Sequence, residues 1–221
     1  MSSGASSQNY TTGEEIAHAV THGIGIALSI AALAILVAFS VLYGDVWHVT
    51  STAIYGATLI LLYTASTLYH GIPHLGAKRV LRQLDHAAIF LLIAGTYTPF
   101  TLISLRGPWG WTLFGLVWGI AILGLYIELW GSSRLRRWSL LLYLGMGWLV
   151  VIAVKPMLAN VETGGLLLLL AGGLSYTLGA IFYAWKRLSY NHAIWHLFVL
   201  AGSILHFFSI LFYVVPDAPL S

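Results

Sequence analysis

Apolar residues fall along this chain in blocks of about 20 or more, separated by short polar stretches. Each block is long enough to cross a hydrocarbon core of about 30 Å as a helix. The pattern predicts seven spans, at about 16–43, 46–70, 84–104, 109–130, 138–158, 164–185 and 192–215. Met1 to Gly13 is polar, lacks large aliphatic side chains, and is expected to be a disordered cytoplasmic tail. Thr11 or Thr12 is placed to cap the first helix, with Glu14 and Glu15 in the first turn, where carboxylates suit the helix dipole. The first apolar run is too long for a cleaved signal peptide. The expectation is an all-α membrane protein with one seven-helix transmembrane domain over 14–221 and no separate soluble domain.

Within the spans, three small-residue stripes predict close helix packing, either within the chain or in a homo-oligomer: Gly23, Ala27 and Ala31; Gly115 and Gly119; Ala171, Ser175 and Gly179. Pro99 removes a backbone donor inside the third span and predicts a kink there.

Composition agrees with the pattern. The chain is 59% hydrophobic and 8% charged, far below the roughly 25% charged residues of a soluble domain. The net charge of +3 decides little, because the basic residues sit in short loops and report orientation rather than a nucleic-acid partner. Lys78, Arg79, Arg82, Arg134, Arg136, Arg137, Lys186 and Arg187 all follow spans two, four and six, whereas the opposite loops hold Arg106 and Lys155. The positive-inside rule then places the N-terminus in the cytoplasm and the C-terminus outside, in the cell (inner or plasma) membrane. Without cysteine, any metal must be held by His, Asp or Glu.

Candidate chemistry is concentrated at one depth. In N-H-A-I-W-H, His192 and His196 stand four residues apart, one above the other on a helix face. Ser66 and His70 form a second such pair at the end of span two, and Asp85 and His86 open span three. Glu15, His18 and His22 open span one. Four helices thus bring polar groups to the same boundary, where burial is costly unless they pair or coordinate. Three histidines with one open position describe a catalytic zinc site, whose water has a pKa of about 7. Asp85 is then a candidate to accept that water's proton, and Ser66 to bond Asp85 or a substrate oxygen.

Each residue also has a plainer role: the histidine pair as interfacial anchors, Asp85 as a helix cap, Ser66 bonded to its own i−4 carbonyl, and Glu15, His18 and His22 as an ordinary polar helix end or a second shell. His74 is expected to be solvent-exposed, His48 lies at the other side, and His206, nearly three turns past His196, is expected to bond a neighbouring helix.

The combination of E-x-x-H-x-x-T-H at Glu15 to His22, S-T-L-Y-H at Ser66 to His70, D-H-A-A-I-F-L-L-I-A-G-T-Y-T-P at Asp85 to Pro99, and H-A-I-W-H at His192 to His196 resembles the bacterial hemolysin III branch of the progestin and adipoQ receptor family. The resemblance covers essentially every span. It implies a seven-helix bundle with an inside N-terminus, related to adiponectin receptors and, more distantly, to alkaline ceramidases. It also implies a Zn2+ ion near the cytoplasmic face, with His70, His192 and His196 as ligands, Asp85 reached through water, and Ser66 beside it. One position departs from the pattern: His18 stands where asparagine is common. The long N-terminal domain of the eukaryotic receptors is not seen, so a hormone-receptor role is not expected. The function expected is zinc-dependent hydrolysis of an amide or ester in a membrane lipid. The alternatives are a non-enzymatic regulator or sensor of membrane homeostasis with structural zinc, and a channel-forming cytolysin.

Overall fold

The structure is a computed structural model that describes residues 10–215. Seven helices are long and apolar enough to cross a membrane: α1 (Thr12–Tyr43), α2 (Val46–Gly71), α3 (Leu75–Ser104), α4 (Pro108–Trp130), α5 (Ser139–Asn160), α6 (Thr163–Ala184) and α7 (Asn191–Tyr213). No strand occurs among the described residues, and a one-turn helix, Ser133–Arg136, leads from α4 into α5. Large apolar side chains such as Ile24, Ile122, Leu167 and Phe212 stand exposed on the flanks, as an integral membrane protein requires. Residues 1–9 of the expected tail lie outside the described residues; Thr11 is ordered and caps α1.

Local chemistry fixes the helix ends. The Thr11 side chain accepts from the Glu14 N–H at 3.3 Å, and the Thr11 N–H donates back to the Glu14 carboxylate at 2.9 Å, closing a capping box. At the other end of the bundle Asp45 caps α2 by accepting from the N–H groups of Trp47 and His48. The His48 ring, then its backbone N–H, holds the Asp45 carboxyl below the usual carboxylate range. Gly107, with φ 137°, makes the turn that lets Pro108 open α4. Helix α3 begins at Leu75, so Lys78, Arg79 and Arg82 lie on its first turns rather than in a loop.

Packing runs α1 on α2, α2 on α3, α3 on α4 and α6 on α7, with α7 closing back on α1; α5 makes the thinnest contacts. The core centres on Tyr55, Leu59, Tyr63, Phe90, Val117 and Met146. The small-residue stripes are used differently from expectation. Gly115 and Gly119 are exposed, with open space where a Cβ would stand, and Ala27 and Ala31 are exposed as well. Close approach occurs instead at Gly124, where a Cβ would come within 2.5 Å of the Phe90 ring, and at Gly179, where it would come within 2.6 Å of Phe198. Of the third stripe, Gly179 and Ser175 face α7, while Ala171 is exposed.

Two helices depart from α geometry. Pro99 has no N–H to give, and α3 widens beyond it into a π turn over Phe100–Ser104. Helix α5 passes through a 3-10 stretch at Trp148–Ala153. There the Tyr97 hydroxyl of α3 donates toward the carbonyls of Met146 (3.1 Å) and Gly147 (2.7 Å), and accepts from the Val150 N–H at 2.9 Å. One phenol therefore satisfies backbone groups that an unbroken helix would pair by itself.

These contacts set two expectations. Gly124→Ala should lower stability by about 1–3 kcal/mol through overpacking against Phe90, whereas Gly119→Ala should be neutral or slightly stabilising. Tyr97→Phe, which removes the side-chain partner of the Gly147 carbonyl and the Val150 N–H, should cost about 1–3 kcal/mol. Thermal unfolding in detergent, followed by circular dichroism, checks both.

Candidate metal centre

At the end of the bundle carrying the start of α1, five imidazoles meet. His18 and His22 come from α1, His70 from the last turn of α2, and His192 and His196 from the first turns of α7; all five are buried. Ring centroids lie 4.5 Å apart for His18 and His70, 4.5 Å for His192 and His196, and 5.2 Å for His70 and His192. His22 stacks flat on His196 at 3.5 Å. Two features bring α1 and α7 into register: Tyr190 adopts a left-handed φ of 56° just before α7, and its N–H donates to the Glu14 carboxylate at 3.1 Å.

Hydrogen-bond partners assign the tautomers of two rings. Nδ1 of His70 lies 2.7 Å from a Glu15 oxygen, and the other Glu15 oxygen accepts from Lys78 Nζ at 2.6 Å. A carboxylate can only accept, so Nδ1 of His70 carries the proton and Nε2 keeps its lone pair. Nδ1 of His196 lies 3.3 Å from the His18 carbonyl and is protonated for the same reason. Nε2 of His70 and both ring nitrogens of His192 are buried without a protein partner. His70, His192 and His196 each offer a nitrogen within 4.8 Å of the others. Imidazole nitrogens that converge, with the opposite nitrogen of His70 bonded to a carboxylate and that of His196 to a carbonyl, fit a metal ion well.

The remaining predicted residues lie around this group. Glu15 orients His70. His18 sits with its ring 4.9 Å from His192, and Glu15, His18 and His70 form a second set of candidate ligand atoms within 4.8 Å. Tyr10 covers the cluster, 4.7 Å from His18 and 5.4 Å from His192, and burial pushes its phenol well above the usual tyrosine range. Ser66 is buried and makes no bond to its own i−4 carbonyl; its hydroxyl stands beside the Asp85 carboxyl. Asp85 is buried in the third turn of α3 and is not a cap; His74 caps that helix instead and is exposed. His206 donates from Nε2 to the Leu169 carbonyl of α6, as its depth suggested.

Beside the cluster lies a chamber of about 1300 Å3, larger than the roughly 300–1000 Å3 of ordinary small-molecule pockets. His22, Ser66, Asp85, His192 and His196 face it at one end, and apolar side chains including Ile93, Phe100, Leu113, Met157 and Leu166 line it beyond. Val151, Val154, Leu158 and Leu170 line it and are themselves exposed, so it reaches the apolar flank between α5 and α6.

The sequence reading missed Glu128 in α4. It is fully buried, bonded by the Ser139 hydroxyl, 3.5 Å from the Tyr143 hydroxyl and 3.8 Å from Nδ1 of His86, and it also lines the chamber. A lone carboxylate in an otherwise apolar span was the available signal.

Comparison with known proteins agrees with the residues. The chain is 51% identical over 205 residues to "Hemolysin-3" of Bacillus cereus, covering 93% of this chain and 94% of that protein. It is 48% identical over 206 residues to "Hemolysin-3 homolog" of Bacillus subtilis (strain 168), covering 93% and 97%. It is 31% identical over 206 residues to the human "Monocyte to macrophage differentiation factor", covering 89% and 83%. No solved structure matches the chain. The model of the family described as "Haemolysin-III related" matches residues 10–207, and the chain belongs to that family.

Proposed function

We propose that the protein is a zinc-dependent hydrolase acting on an amide or ester linkage of a membrane lipid held in the chamber. The observation that carries this reading is the convergence of imidazole nitrogens from α2 and α7, with Nε2 of His70 and both nitrogens of His192 unpartnered, beside a large, mostly apolar cavity that His192 and His196 line. His70, His192 and His196 would hold the ion, with Glu15 and the His18 carbonyl fixing the rings of His70 and His196. Zinc held by three protein ligands supplies a Lewis acid and lowers the pKa of water to about 7.

The chain's own residues would do the rest. Asp85, buried yet facing the chamber, accepts the proton given up by the attacking water and passes it to the leaving group. The Ser66 hydroxyl, beside Asp85 and facing the chamber, donates to the substrate carbonyl oxygen. Tyr10 and the apolar wall keep bulk water away. With the N-terminus in the cytoplasm, as the loop charges argue, the site acts near the inner face of the membrane.

Purified protein should contain about one zinc per chain by elemental analysis, lost in His70→Ala and His192→Ala and kept in His48→Ala. Glu15→Ala should weaken zinc affinity by about 10- to 100-fold, measured by competition with a chelator. Asp85→Asn should keep its zinc and lose about 100- to 10,000-fold of lipid turnover. Unchanged turnover in Asp85→Asn would instead favour a structural ion that ties α2 to α7.

A further inference from the structure

The chamber's mouth is basic in a way the orientation of the bundle does not require. Lys78, Arg79, Arg82, Arg136, Arg137 and Lys186 all line it, at the end where the histidines gather. Lys78 is held by Glu15. Among the described residues no carboxylate lies within ion-pair distance of the other five. The carboxylates that also line the chamber are committed or apart: Glu15 to His70 and Lys78, Glu128 to Ser139 and His86, and Asp85 to no cation. Arg136 gives one N–H to the Glu128 backbone carbonyl at 3.3 Å, and Lys186 lies over the Tyr183 ring at 4.0 Å. Desolvation, and then the Arg82 guanidinium, hold the Lys186 ammonium below its usual value. Of these cations only Lys78 contacts a carboxylate, while Asp85 and Glu128 act on Arg82 and Glu128 acts on Arg136 from beyond ion-pair distance.

A positive-inside loop needs its charge near the membrane but not around a cavity. Arg134 and Arg187 meet that topological need without lining the chamber. Arg82 and Arg136, by contrast, are half-buried at its rim, on α3 and on the one-turn helix before α5. Guanidinium groups match phosphate oxygens with paired N–H donors, and the bore beyond them is apolar and open to the flank.

We infer that the chamber binds an anionic phospholipid, its phosphate held by Arg79, Arg82, Arg136, Arg137 and Lys186 and its acyl chains lying in the bore between α3, α5 and α6. The inference rests on the hydrolase reading for its consequence, since the linkage between phosphate and acyl chain then lies beside Ser66, Asp85 and His192. The binding itself needs no zinc.

The test measures lipid retained by the purified full chain after delipidation and incubation with phosphatidylglycerol or phosphatidylcholine, read by native mass spectrometry. The wild type should hold about one phosphatidylglycerol and favour it over phosphatidylcholine by at least about tenfold. The double variant Arg82→Gln, Arg136→Gln should lose that preference by about tenfold or more, while Arg134→Gln, Arg187→Gln keeps it. Equal retention of the two lipids by the wild type, which needs no variant to fold, would overturn the proposal. So would an equal loss in both double variants, which would mark general attraction to a basic surface. Displacement of phosphatidylglycerol by equimolar inorganic phosphate would also overturn it, since the site would then take phosphate rather than lipid. His70→Ala should retain phosphatidylglycerol without zinc; loss of the lipid there would sink the proposal. Retention there with no turnover by the wild type would sink only the hydrolase reading.

Discussion

Burying imidazole nitrogens in an apolar bundle is the constraint on which the rest of this structure depends. An unpartnered polar atom costs roughly 1–3 kcal/mol in a protein interior, and this end of the bundle buries several. The surrounding chain is arranged to hold those nitrogens rather than to quench them. Glu15 takes one nitrogen of His70, and the His18 carbonyl takes one of His196, leaving the opposite nitrogens free. Glu14 performs the matching task on the backbone, since its carboxylate caps α1 and also accepts from the Tyr190 N–H ahead of α7. Adjacent carboxylates thereby align two helices that are remote in sequence.

The spans and the cluster were legible in the sequence because their signals are local. Apolar block length needs no partner helix, and an i,i+4 pair shares a helix face whatever packs against it. What was not legible depends on which face turns inward. Gly115 and Gly119 read as a contact motif yet face outward, while Gly124, four residues before Glu128, is the glycine that Phe90 requires. Hydropathy placed the start of the third span near Leu84, because Leu75 to Gln83 is too polar to score as membrane. That stretch is nonetheless helical, and its helicity carries Arg79 and Arg82 to the rim of the chamber instead of leaving them in a loop. Glu128 was passed over for a related reason: one carboxylate in a hydrophobic run has no periodicity, and its partners Ser139 and His86 belong to other helices.

The chamber follows from the weakness of one helix. Helix α5 packs thinly on its neighbours and is interrupted at Trp148–Ala153, where an isolated break in lipid would expose carbonyls and an N–H with no water to bond them. Tyr97 supplies those bonds from α3. The break can therefore persist beside an empty space without α5 collapsing onto α3 to satisfy itself. A hydroxyl on the third span and a loose fifth span together hold open a cavity that tighter packing would have filled.

That arrangement separates two demands that conflict in a membrane site. The turns proposed to carry the ligands must be rigid, and α1, α2 and α7 meet this need through caps, the Glu15–His70 hydrogen bond and close ring contacts. The exposed apolar residues that line the chamber lie instead on α5 and α6, and of these two helices α5 packs thinly on its neighbours. Rigidity at the histidines and looseness at α5 are thus placed on different helices. A change in the packing of α5 should then alter which molecules reach the site without moving the nitrogens that face it.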